Sequence, residues 1–329
     1  MRRRLILSLI LLSVAFGPPV TSAAEVTDST GRVVQIPDRI THVLPAGPPA
    51  AILLEAIAPD LMVGWPGRLS EDAKALLPPD AAKLPQIPRM TGREDVAEKI
   101  RALKPDLILD YGDVTPRYFE LTQATQQRTG IPTLLYIGTL EQIPDVIRKV
   151  GTLLHREARA ETLANFAEAL LTLPASQSGH PKVLYARGAD GLNVTAPDTQ
   201  VTEVFTHLGW KVLAPDGQGT FRASSVEAIR ALDPDIIIFS DPAMRETLAH
   251  NDAWRTVRAV REDHVHFAPS LPFGWVEEPP SINRLLGLAW LNGHEPAAVA
   301  SLFNAVVYGR ALTPAQLETV LGGVRPIQP

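Results

Sequence analysis

The chain has 329 residues, 31 Lys plus Arg against 36 Asp plus Glu, no cysteine, 45% hydrophobic side chains and 20% charged ones. This is the composition of a globular protein of about two domains, and it excludes a disordered chain or a coiled coil. The absence of cysteine rules out a disulfide framework, a thiolate metal site, a thiol nucleophile and a lipid-anchoring cysteine, and a formal charge of -5 argues against a nucleic-acid binder.

Arg2, Arg3 and Arg4 precede a largely apolar run over residues 5–16, then Gly17, Pro18 and Pro19, then Ser22, Ala23 and Ala24. That order predicts a signal peptide over residues 1–24, cleaved near Ala23/Ala24. The run is shorter than the roughly 20 residues a membrane span needs. Its removal leaves 28 basic against 36 acidic residues, a formal charge of -8. No later stretch is long and apolar enough to span a membrane, so the mature protein is expected to be soluble outside the cytoplasm.

A hairpin is predicted over residues 25–36, turning at Asp28-Ser29-Thr30-Gly31. Beyond it, short apolar runs at 42–44, 61–64, 107–109, 133–136, 183–185, 236–239 and 264–267 alternate with amphipathic helical segments. This is an α/β pattern with parallel pairing. The segment 91–109 reappears 129 residues later at 220–238, and from Glu98 onward eight of eleven positions are identical: EKIRALKPDLI against EAIRALDPDII. In each copy a helix, a Pro-Asp stop and a buried strand follow in order. The chain is therefore expected to form two similar lobes, 25–155 and 175–329. They are joined by a long helix over 156–174, where Ala, Leu and Phe recur at helical spacing with no Gly and no Pro before Pro174.

Nucleophile, zincin and phosphate-loop signatures are absent, and Gly217-Gln-Gly219 lacks the third glycine of a dinucleotide fingerprint. His264 and His266 fall on one face of a strand with no carboxylate beside them in the same short segment, which reads as an ordinary strand before it reads as a metal pair. Asp110 and Asp113 flank the end of another strand. In open α/β sheets ligands bind outside the carboxyl ends of strands. Those ends carry Trp65 with Arg68, Tyr111, Tyr136, Arg187 and Asp241, then the loop holding Phe273 and Trp275; the loops before the repeated helices add Arg93, Phe221 and Arg222. Rigid aromatic faces and guanidinium groups suit a bulky, partly planar, anionic ligand. Trp65, Arg93, Tyr111, Arg187, Phe221, Arg222 and Trp275 are the candidate ligand-binding set. Glu98 and Glu227, one per lobe at equivalent helical positions, would give a partner two matched negative contacts.

These features resemble the substrate-binding proteins of ABC importers for iron chelates, haem and vitamin B12, the helical-backbone or class III periplasmic binding proteins. The resemblance runs through VTDSTGRVVQIPDRI, HVLPAGPPAAILLEAIAPDLMVGWP, EKIRALKPDLILDYG, VLYARGADGL, VEAIRALDPDIIIFSD and FAPSLPFGWVEEPPSINRLLGLAWL. It implies two Rossmann-like lobes with parallel sheets, a rigid connecting helix, a metal chelate held between the lobes and no catalysis. It also implies that Glu98 and Glu227 dock on arginines of a membrane permease that works with an ATPase, and that the protein is a monomer in the periplasm. Pro45-Ala-Gly-Pro-Pro49 replaces the hydroxyl-rich turn of many relatives, and no His/carboxylate set for a bare ion can be assigned. The rival readings are an exported hydrolase or transferase using Asp110 or Asp241, and a sensing relative that reports to a receptor.

Overall fold

The protein is described by a computed structural model over residues 23–91, 93–113, 115–174, 179–324 and 326–327. The expected leader lies outside the described residues except for Ala23 and Ala24, which open the first strand, Ala23–Thr27. That strand pairs antiparallel with Val33–Pro37, as the hairpin signal implied. The Asp28 carboxylate organises the turn, accepting from the Thr30 N–H at 2.9 Å and hydroxyl at 2.6 Å and from the Arg32 guanidinium at 2.6 Å. Ser29 N–H and Arg32 then donate to the Leu135 and Thr133 carbonyls, fastening the hairpin to the edge of the first sheet.

The first sheet has Leu107–Gly112 at its centre, with Val43–Pro45 and Thr133–Ile137 parallel on either side. Residues 61–64, expected as a strand, are not one. Pro59–Leu61 makes a single 3-10 turn with proline at its start, and Met62 makes one bridge to Val43. The chain then leaves the sheet at Gly64, where any Cβ would collide with Ile87 and the Pro85 carbonyl. This close approach lets Trp65–Pro66 pair with Gln86–Ile87 instead.

In the second sheet Lys182–Arg187, Ile236–Phe239 and Val265–Phe267 are parallel, while Asn193–Thr195 and Phe221–Ala223 add an antiparallel edge. The sheet is therefore mixed rather than wholly parallel. In both lobes the central strands, Leu107–Gly112 and Ile236–Phe239, are buried on two faces, which is why they read as continuous apolar runs. Alternate residues separate cleanly. Leu44 and Ile108 in the first sheet, and Leu184, Ile237 and Phe239 in the second, face the outer helices of their own lobe. Val43, Leu107 and Leu109, with Val183, Tyr185 and Ile238, face one core that runs through both lobes.

The helix Glu157–Leu171 lies along that shared core, burying Ala160, Leu163, Ala164, Ala167 and Leu170. It packs on the helix Ile143–Leu153 at Gly151, where a side chain would strike Ala160, and Arg148 clamps the pair through Glu161 at 2.9 Å and Glu168 at 2.6 Å. The chain after the second sheet crosses back. Ser281 donates to the Pro49 carbonyl, and Arg159 of the connecting helix donates to the Ala56, Val306 and Val307 carbonyls. Arg310 reaches the Ala75 and Leu77 carbonyls of the first lobe. The lobes are thus tied both by a helix and by the returning C-terminal chain.

Candidate functional site

The cleft lies where the strands of the two lobes end. Its floor is a polar knot around Arg284, which is fully buried at the start of the helix Arg284–Leu291. The guanidinium donates to the Gly138 carbonyl of the first lobe at 2.9 Å, and to the Gln200 carbonyl at 3.0 Å and the Glu203 carboxylate at 2.7 Å in the second. Glu203 also accepts from the Leu140 N–H at 2.6 Å, and the Gln200 amide donates to Gly138. Every polar contact in this knot joins or braces the lobes, and such charge-assisted bonds are the stronger kind.

Above the floor, three adjoining cavities of about 440, 720 and 630 Å³ share their walls. Pro48, Arg89, Glu278 and Pro279 separate the first from the middle one; Gly112, Tyr118, Arg187 and Gln200 separate the middle one from the last. Each is within the usual size range of a small-molecule site, and together they make one groove long enough for a bulky ligand.

Four of the seven residues expected to bind ligand line this groove. Trp65 is held by its indole N–H on the Ala81 carbonyl at 2.8 Å and packs 5.6 Å from Phe273. Tyr111 stands at the end of Leu107–Gly112, its ring pressed against Gly138, where a Cβ would collide with the phenol. Burial raises its pKa above the ordinary phenol value. Arg187 lies 3.8 Å over the Phe221 ring and is paired with the buried Glu277 and, at 3.3 Å, with Glu278. Burial pulls its pKa below the usual guanidinium value. Its charge is therefore partly answered within the protein.

Arg93, Arg222 and Trp275 are placed elsewhere. Arg93 is exposed before the helix Glu94–Ala102 and pairs with Asp95 at 2.9 Å. Arg222 follows Phe221 along a strand, so it points to the opposite face and donates to the Pro215 carbonyl at 2.7 Å. Trp275 is fully buried, 6.5 Å from Trp290, because the loop that carries it turns into the shared core. Tyr136 lies under the N-terminal hairpin, and Asp241 accepts the Ala243 N–H in a local turn. His264 and His266 border a separate polar depression, and among the described residues no group of three or more His, Asp or Glu gathers around a common point. Glu98 and Glu227 are both exposed, each on the repeated helix of its lobe.

Arg89 and Tyr118 are among the lining residues that strand-end reasoning does not find. Arg89 is brought to the groove by the short pairing of Trp65–Pro66 with Gln86–Ile87, which carries no periodic signal in two residues. Tyr118 sits in the first turn of Pro116–Thr129, a place a search confined to strand ends does not cover. Asp110 also lines the middle cavity while only 4% exposed, and burial raises its pKa to about 6.

A sequence profile described as periplasmic binding protein matches residues 54–271. The high-affinity haem uptake protein IsdE of Staphylococcus aureus is 23% identical over 195 residues, 55% of this chain; the match spans 65% of the length of that curated relative. Among solved structures, an ABC transporter solute binding protein from Sulfurospirillum deleyianum is 25% identical with a TM-score of 0.80, covering 91% of this chain and 99% of that one. The molybdate periplasmic binding protein MolA of Haemophilus influenzae, solved with molybdate, is 18% identical with a TM-score of 0.68, covering 88% and 99%. Two α/β lobes, a groove between them and one connecting helix agree with these matches, and the chain belongs to the periplasmic binding protein family, in its helical-backbone class III branch.

Proposed function

We propose that the protein is the extracytoplasmic carrier of an ABC importer, capturing a metal chelate between its lobes and delivering it to the permease without chemical change. The observation that carries this reading is the groove itself, continuous across the lobe boundary and walled by Trp65, Phe273, Tyr118, Phe221 and arginine side chains. Its size favours a chelate over a bare oxyanion, and its aromatic faces suit a planar or ring-bearing cargo. IsdE, a haem uptake protein by name, supports the same class. The stiff connection through Glu157–Leu171 and the Arg284 knot favours a small closing motion, since both would resist a wide hinge.

Titration of the exported protein with haem, ferric siderophores, cobalamin and bare metal ions, followed by tryptophan fluorescence, tests capture. One chelate should quench with one-to-one saturation, and Trp65→Phe should weaken it. A response to a bare ion alone would sink the reading. Glu98 and Glu227 are the proposed permease contacts, exposed at matched positions in the two lobes. Reversing both charges, Glu98→Arg with Glu227→Arg, should abolish uptake while leaving chelate affinity within about twofold, as expected for exposed charges that line none of the three cavities. Residues 1–24 are the proposed export signal, so N-terminal sequencing of the exported chain should begin near Glu25.

A further inference from the structure

The groove is not uniformly cationic. Arg68 and Arg89 stand at the end beside Trp65 and Phe273, while Asp113 and Asp198 line the opposite end. Between them, the other strong charges are answered inside the protein: Arg187 by Glu277 and Glu278, and Glu203 by Arg284. Asp110 is different. It lies two residues before the end of the central strand of the first lobe, 4% exposed, and lines the middle cavity. Its Oδ1 accepts the Tyr111 N–H at 2.9 Å, and Oδ2, which is not among the fully enclosed unpartnered atoms of the described residues, opens toward the cavity. A carboxylate so largely withdrawn from water is costly to ionise, and its natural complement is a cation or a strong N–H donor. Burial accordingly holds this acid well above the ordinary carboxyl pKa, at about 6.

We propose that Asp110 is a specificity-determining residue and that the cargo is amphoteric, lying with an acidic group toward Arg68 and Arg89 and a protonated amine against Asp110. The inference rests on the chelate-binding reading and gives it a polarity. A purely anionic cargo would bring like charge onto Asp110 or force it to protonate. A cargo without charged ends would cover the carboxylate without answering it. An ammonium completes it with a charge-assisted bond to a carboxylate that the strand holds largely out of water.

The test uses three ferric trihydroxamates that share one iron-binding backbone. The first has a terminal carboxylate and a terminal amine, the second keeps the amine with its other end acetylated, and the third has both ends capped as amides. Calorimetric titration of the exported protein should rank them in that order, with steps of about tenfold in affinity. Asp110→Asn should weaken the two amine-bearing probes about ten- to a hundredfold and leave the capped one within about twofold, with a melting transition no lower than the parent's as a check on folding. Arg89→Gln should weaken only the carboxylate-bearing probe. Equal affinities for the three probes, or an Asp110→Asn protein that binds all of them as before, would overturn the amphoteric assignment while chelate capture stands. Tighter binding of dianionic haem than of any of the three would do the same. Failure of every chelate to bind would remove this inference together with the reading beneath it.

Discussion

Glu55 shows how a single buried acid sets a limit on the fold. It is 3% exposed in the helix Pro48–Ile57, and its neighbour Arg159 directs its guanidinium to three backbone carbonyls instead. Burial pushes the Glu55 pKa up to about 8, only partly offset by the Arg159 charge. The unfolded chain releases this proton near the ordinary value of 4.5 and the folded chain near 8. The contribution of protonated Glu55 is therefore fully present below pH 4.5 and is lost as pH rises through 8. Glu55→Gln should match the parent in urea unfolding at pH 4 and exceed it at pH 9, by on the order of 3 to 5 kcal/mol. Equal stability of parent and variant at pH 9 would show that the carboxylate is ionised at little cost in the fold. At this scale the candidate site was legible where a side chain stands at the end of a strand, as with Tyr111 and Arg187, whereas Trp65 reaches the groove from the short pairing Trp65–Pro66 and not from the strand expected at 61–64. Arg222 was misplaced because neighbours on a strand face opposite ways, and Trp275 because nothing in a loop sequence tells an inward turn from an outward one.

The repeat explains itself at the level of elements. In the first lobe Asp106 donates its N–H to the His42 carbonyl, and its carboxylate accepts from the Thr41 N–H, the Thr41 hydroxyl and the His42 N–H at 2.7 to 2.9 Å. In the second, Asp235 donates to the Lys182 carbonyl, and its carboxylate accepts the Lys182 N–H at 2.8 Å and a bond from Arg258 at 2.7 Å. The preceding helix ends the same way in both, with Lys104 and Asp233 at φ of 50° and 49° before the proline. Each Pro-Asp thus stops a helix and pins the start of the neighbouring parallel strand. Burial alone would raise both carboxyl pKa values, but the hydrogen bonds hold them below the ordinary range. Asp106→Ala and Asp235→Ala should each cost about 1 to 3 kcal/mol in urea unfolding, and loss at only one site would mean the two copies are not mechanically equivalent. The duplicated helix and strand could be read from EKIRALKPDLI and EAIRALDPDII, since periodicity and proline chemistry are local. The antiparallel edge of the second sheet could not, because Asn193–Thr195 and Phe221–Ala223 are three-residue strands whose pairing is decided by the fold around them.

Across the whole molecule, the inner faces of both sheets, the connecting helix and the returning C-terminal helices share one core. Arg284 sits at its edge and bonds both lobes at once. The groove above it is therefore framed by parts that move little relative to one another, which suits recognition by a pre-formed site. This continuity was hidden in a sequence that divides neatly into two lobes and a linker: the residues that cross back, Ser281, Arg284 and Arg310, bond to first-lobe residues more than 140 positions away. The most direct test of capture between the lobes is an anomalous difference map from crystals grown with the ferric chelate that gives saturable quenching. A single iron peak in the groove between Trp65 and Phe221 is the expected result. A peak beside His264 and His266, or elsewhere on the surface, would contradict the assignment of the groove as the binding site.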